Sequence, residues 1–162
     1  MTSNDTSQWY LAYGSNMSKK QIHERTGSIP DGRRVRLDGY RLAFRKFKNT
    51  EEVYADILPD ASRSVLGVAY DCSPIELERL DVFEGVADGC YRREFVQVQA
   101  EDPSDRWQAI AYRGSNAFSE IESQPSQEYL DRILAGLRDH QFSAAYIHAV
   151  LAIAKQQLNH SD

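Results

Sequence analysis

The chain has 162 residues, of which 41% are hydrophobic and 27% charged, with a formal net charge of -5. This is the usage of a single globular domain that buries about two-thirds of its unfolded surface, and it excludes a disordered or fibrous chain. The acidic balance argues against nucleic acid or an anionic membrane surface as the main partner, and no apolar run approaches the roughly 18 residues that span a bilayer.

Residues 1–8 are polar and show no cationic segment followed by an apolar one, so no secretory leader is expected. They and residues 159–162 are expected to be flexible ends around a single domain, 9–158. A strand over 9–13 runs into the small polar turn Gly14, Ser15, Asn16 and then into a helix over 18–26, where Ser18 and Gln21 have the spacing of a capping box. Gly27 stands where a left-handed C-terminal residue is wanted. Strands follow over 33–45, 53–58 and 64–71, the last reading SVLGVAY, apolar on both faces as a central strand would be. Ser73 and Glu76 form a second capping box, with Pro74 at the first position of a helix over 74–83 and Gly85 just beyond its end. Strands over 91–100 and 106–113 flank EDPSD, a proline-containing turn suited to an antiparallel pair. A helix over about 126–138 carries a core stripe of Tyr129, Leu130, Ile133, Leu134 and Leu137, and Ser143 caps a last, apolar helix. The class is α+β with a mixed, largely antiparallel sheet.

Two places carry candidate chemistry. Gly14 to Asn16 precede a helix start, so their N–H groups can converge on an anion or carbonyl oxygen where the helix field is positive. A strand-to-helix turn built of common turn residues needs no ligand, and that reading stays open. Glu84 closes a helix at the end where cations are favoured, with Asp81 one turn back and Phe83 and Tyr91 nearby to bury it. All of these would raise its pKa toward the range of a general acid–base near neutral pH, although a solvated glutamate at a turn is the plainer alternative. The stretch Arg33 to Lys48 holds seven cations and one acid and is read as a solvated or edge face rather than a nucleic-acid site. Cys72 and Cys90 form no CxxC pair, and His23, His140, His148 and His160 fall at no metal-ligand spacing. No disulfide framework and no metal are expected, and a reducing, cytoplasmic setting fits.

Taken together, YGSN after the first strand, LDVFEGV, GCYRR, AYR at 111–113 and PSQEYLDRILAGL at 125–137 resemble the γ-glutamylcyclotransferase family, within the AIG2-like superfamily. The resemblance spans most of the chain. It implies a small β-barrel with surrounding helices, and cofactor-free conversion of a small-molecule γ-glutamyl substrate to 5-oxoproline and a free amine. It also implies a substrate-binding loop at Tyr10, Leu11, Tyr13, Gly14, Ser15 and Asn16, a catalytic Glu84, and pocket tyrosines Tyr112 and Tyr129. The chain departs from the family pattern around NTEEVYADILPD, where many relatives have a glycine pair, and it reads YGSN rather than the YGSL of the glutathione-specific branch. The resemblance therefore implies a γ-glutamyl amino acid other than glutathione as substrate, with a γ-glutamyl amine or a biosynthetic γ-glutamyl intermediate as the alternative, and a homodimer is left open. A non-catalytic γ-glutamyl binder is the alternative of another class, and it would have no use for a carboxyl at Glu84.

Overall fold

A computed structural model describes residues 6–155. Of the expected loose ends, 1–5 and 159–162 lie outside the described residues, while Gln8 already belongs to the first strand, β1 (Gln8–Ala12), opposite Cys72. A single 3-10 turn, Ser15–Met17, follows and leads into α1 (Lys19–Thr26). Next come β2 (Gly32–Phe47), β3 (Val53–Cys72), α2 (Pro74–Phe83), β4 (Tyr91–Gln99) and β5 (Arg106–Gly114). The chain continues through β6 (Phe118–Glu122), α3 (Gln127–Asp139) and α4 (Ala144–Lys155).

Five strands close into a barrel in the order β3-β1-β5-β4-β2, with β2 returning to β3. Closure removes free edges from the barrel wall. The pairs are antiparallel except β1 with β5, which run parallel at Tyr10 and Ile110. SVLGVAY is central as its two apolar faces suggest, because Val68 pairs with Ala12 on one side and Arg34 on the other. Barrel residues such as Leu11, Ile57, Val65, Val68 and Val98 form one buried cluster with Leu80 of α2 and Leu130, Ile133 and Leu137 of α3.

The strand expectations change in two places. Strands 53–58 and 64–71 are one strand, β3, because the polar LPDASR does not turn. The ladder to β2 instead skips from Pro59–Tyr40 to Ser64–Asp38, leaving Asp60–Arg63 as a bulge opposite Gly39, whose φ of 85° accommodates the bend. Strand β6, short and half polar, gave no alternating signal, and it pairs with β2 outside the barrel.

The basic stretch is not an edge either, since β2 lies between β3 on one side and β4 and β6 on the other. Six of its seven cations are paired: Arg33 with Asp105, Arg34 with Glu101, Arg36 with Asp38, Arg41 with Glu122, Arg45 with Asp56 and Lys46 with Glu51. Most of its positive charge is thereby matched.

Helix signals hold well. Ser73 and Glu76 form the complete reciprocal box. Ser18 accepts from the Gln21 N–H at 3.2 Å, but the Gln21 side chain turns away to the preceding loop, so only half of that box exists. Ser126 and Ser143 cap α3 and α4. Among the described residues no helix is long and apolar enough to cross a membrane.

Candidate active site

At the end of β1, Gly14 packs so closely that a Cβ there would lie 3.3 Å from the Ala55 Cβ and 3.5 Å from the Tyr129 hydroxyl. The carbonyls of Gly14 and Ser15 accept from the Met17 and Ser18 N–H groups at 3.1 and 3.0 Å, which winds the 3-10 turn. The N–H groups of Gly14, Ser15 and Asn16 find no partner among the described residues. They are the unpaired donors a helix entry leaves, here at the wall of a cavity. Beneath the loop, α3 passes at Gly136, where a Cβ would lie 2.5 Å from backbone atoms of Met17 and Ser18.

Asn16 is the hub of the site. Its amide donates to the Tyr10 hydroxyl at 2.9 Å and to Glu84 Oε1 at 3.0 Å, and its carbonyl accepts from Gln21 Nε2 at 3.0 Å and Arg25 Nη1 at 3.1 Å. Both donors and both lone pairs are used, so the side chain positions its neighbours and only its N–H is left for a ligand.

Glu84 caps the C-terminus of α2, its N–H bonded to the Leu80 carbonyl at 2.8 Å, and Gly85 leaves the helix with φ of 63°. The Glu84 side chain is only 14% exposed, and its Oε1 lies 3.8 Å from the Arg25 guanidinium. Oε2 accepts no bond from the described protein. Burial, with a smaller push from Asp81, raises the Glu84 pKa to about 7, against the downward pull of Arg25 and the Asn16 hydrogen bond. The solvated-turn alternative is thereby displaced.

These groups line one cavity of about 290 Å³, together with Tyr10, Tyr13, Tyr112 and Tyr129. The tyrosines are framework as much as lining. Tyr13 donates to the Tyr112 carbonyl, Tyr112 to Asp81 Oδ1 at 2.6 Å, and Tyr129 accepts from the Ala55 N–H at 3.0 Å. Burial holds the Tyr10, Tyr13, Tyr112 and Tyr129 hydroxyls above their ordinary pKa, so they stay neutral. Leu11 differs: it is buried in the core, outside the cavity.

Sequence reasoning missed Arg25, Phe47, Tyr54, Ala55, Cys90 and Arg132, which also line the cavity. Two had a readable signal: Arg25 lies four residues beyond Gln21 on α1, and Arg132 three beyond Tyr129 on α3, each one helical turn along the same face. Phe47 and Tyr54 come from the two ends of the β2–β3 turn and stack edge-on at 5.3 Å, which no local pattern announces. Among the described residues no three His, Cys, Asp or Glu side chains converge as metal ligands would.

A family model described as "AIG2-like family" matches residues 64–150. The chain belongs to that family. The matched segment contains Glu84, Tyr112 and Tyr129 and begins after the Gly14–Asn16 loop. The γ-glutamylcyclotransferase of Homo sapiens is 26% identical over 149 residues, covering 89% of this chain and 77% of its own. A solved structure of a γ-glutamyl cyclotransferase superposes with a TM-score of 0.81 at 25% identity, over 91% of this chain and 88% of that one. A cyclotransferase specific to glutathione from yeast, at 15% identity and TM-score 0.67 over 98% of this chain and 100% of its own, shares the fold. The expected small mixed barrel with packed helices is thus the architecture of this group of cyclotransferases.

Proposed function

We propose that the protein cleaves γ-glutamyl amides to 5-oxoproline and the free amine. The observation that carries this reading is a single carboxyl, Glu84, fixed by Asn16 at 3.0 Å in the same cavity as three unpartnered main-chain donors. The substrate brings its own nucleophile. Its α-amine attacks the γ-carbonyl, the lactam C–N bond forms, the original amide C–N bond breaks, and no water is consumed. Proximity of amine and carbonyl in a bent substrate supplies much of the acceleration.

Glu84 as carboxylate takes a proton from the substrate ammonium and then, as the acid, gives it to the departing nitrogen. Both protons lost by the ammonium end on the released amine, and Glu84 returns to its starting state. A pKa near 7 suits a group that must do both. The N–H groups of Gly14 to Asn16 would hold the substrate's α-carboxylate or the developing oxyanion. The free thiols Cys72 and Cys90 fit a reducing compartment such as the cytoplasm.

The test is to incubate the pure protein with a panel of γ-glutamyl dipeptides and γ-glutamyl amines and follow 5-oxoproline. Release from at least one, unaffected by a chelator, is expected. Release from none, with retained affinity for a γ-glutamyl ligand, would make the protein a binder instead. Activity that a chelator abolishes and zinc restores would overturn the cofactor-free steps.

A further inference from the structure

The far wall of the cavity is built differently from the Glu84 wall. Phe47, Tyr54 and Tyr129 form an aromatic rank, with Tyr54 edge-on to both neighbours at 5.3 Å. Beside it, one turn beyond Tyr129 on α3, stands Arg132, 47% exposed at the rim. Its guanidinium makes one ion pair, to Glu128 at 2.7 Å, itself on a residue 81% exposed. An exposed pair of this kind is weak and leaves most of the five guanidinium donors free for a ligand.

Charge decides what that ligand is. Two guanidinium groups, Arg25 and Arg132, face one carboxyl, Glu84, across the lining, so the cations outnumber it by at least one whether or not Glu84 holds its proton. A γ-glutamyl amino acid has two carboxylates and one ammonium, an excess of one negative charge. A γ-glutamyl amine lacks the second carboxylate and is neutral. Arg25 is already committed to Asn16 at 3.1 Å and lies over the Phe83 ring at 5.0 Å. The cation left for a second carboxylate is Arg132.

We propose that Arg132 selects γ-glutamyl amino acids over γ-glutamyl amines by pairing with the carboxylate of the leaving amino acid, whose side chain lies along Phe47 and Tyr54. This rests on the reading of the cavity as a γ-glutamyl amide site. Because the leaving carboxylate does not change charge in the reaction, Arg132 binds ground state and transition state alike. Its loss therefore appears in KM rather than in kcat.

The test compares γ-glutamyl-alanine with γ-glutamyl-ethylamide, which differ only in that carboxylate. A charge-assisted hydrogen bond at a half-exposed site should favour the alanine compound in kcat/KM by about 10-fold in the native protein. In Arg132→Gln that preference should collapse toward unity through a higher KM for γ-glutamyl-alanine, and Arg132→Lys should restore part of it. Equal losses on both compounds, or an unchanged preference in Arg132→Gln, would overturn the role of Arg132 while leaving the reaction intact. Cleavage of neither compound, nor of any other γ-glutamyl amide, would remove the reading of the site and this inference with it.

Discussion

In the proposed reaction Glu84 couples catalysis to stability through one proton. Its pKa in the fold is about 7 against an ordinary 4.5, so the folded chain holds that proton more tightly than the unfolded one. The sign follows: the group's favourable contribution is complete below about pH 4.5 and is lost as pH rises toward and through 7, by about 3 kcal/mol in all. Glu84→Gln keeps the shape and can still accept from Asn16, so it should equal the native protein in stability near pH 4 and exceed it at pH 8. Denaturant melts at the two pH values check this, and identical pH dependence in both proteins would contradict it. Turnover of the variant should fall by about 10²- to 10⁴-fold, the usual worth of general acid–base catalysis, with affinity for a non-cyclising analogue kept within a few-fold. Near-normal turnover would leave the reaction without its base. Asn16→Ala removes a hydrogen bond that holds the Glu84 pKa down, so the rising limb of kcat/KM should move to higher pH than in the native protein. A limb that stays put would mean that Asn16 does not set the carboxyl's poise. The helix field marked Glu84 as a candidate in the sequence, but a solvated turn was the plainer reading there, and its burial at 14% exposure appears only in the fold. Asn16 was legible only as a loop residue, since nothing local says that its amide reaches Glu84, 68 residues away.

At the level of elements, the loop that offers main-chain donors is held from below by α3. Gly136 lets that helix approach until a Cβ would lie 2.5 Å from the Met17 and Ser18 backbone. Gly136→Ala gains intrinsic helix propensity of about 1 kcal/mol, but the contact is with backbone, which cannot rotate aside as a side chain does. Overpacking of this kind typically costs about 1 to 3 kcal/mol, so the variant should melt lower on balance. Displacing Gly14 to Asn16 by even part of an ångström should also reduce kcat/KM, and by as much as about 10²-fold for a shift near 1 Å. A variant as stable and active as the native protein would show that the loop adapts and is not pre-set by α3. The helices were the most legible elements because capping serines and a left-handed glycine act locally, within one turn of Ser18, Gly27, Ser73 and Gly85. The half-formed box at Ser18 lies at the edge of the candidate site: Gln21 leaves its expected partner to bond Ser15 and Asn16.

For the whole molecule, legibility fails where long-range pairing overrides local turn chemistry. LPDASR has the composition of a turn, yet β2 holds it in register on either side, and Asp60 satisfies the bulge by accepting from Ser62. The basic stretch reads as a charged face until the fold brings Asp105, Glu101 and Glu122 to it from beyond residue 100. The cavity's aromatic wall is invisible for the same reason. The parallel contact of β1 with β5 carries a temporal consequence. It joins Tyr10 to Ile110 across a hundred residues, whereas β2–β3 and β4–β5 close over short turns. Loop-closure entropy makes such a seam a late event in refolding. Tyr10 and Tyr112, whose rings meet at 5.5 Å, come from opposite sides of that seam. In a refolding jump from denaturant, far-UV circular dichroism should recover first and 5-oxoproline release in a later phase. Recovery of both in one common phase would mean that the barrel closes as its hairpins form. If the seam is last, a newly made chain has most of its secondary structure before it has an enzyme's pocket, and its activity counts closed barrels rather than folded strands.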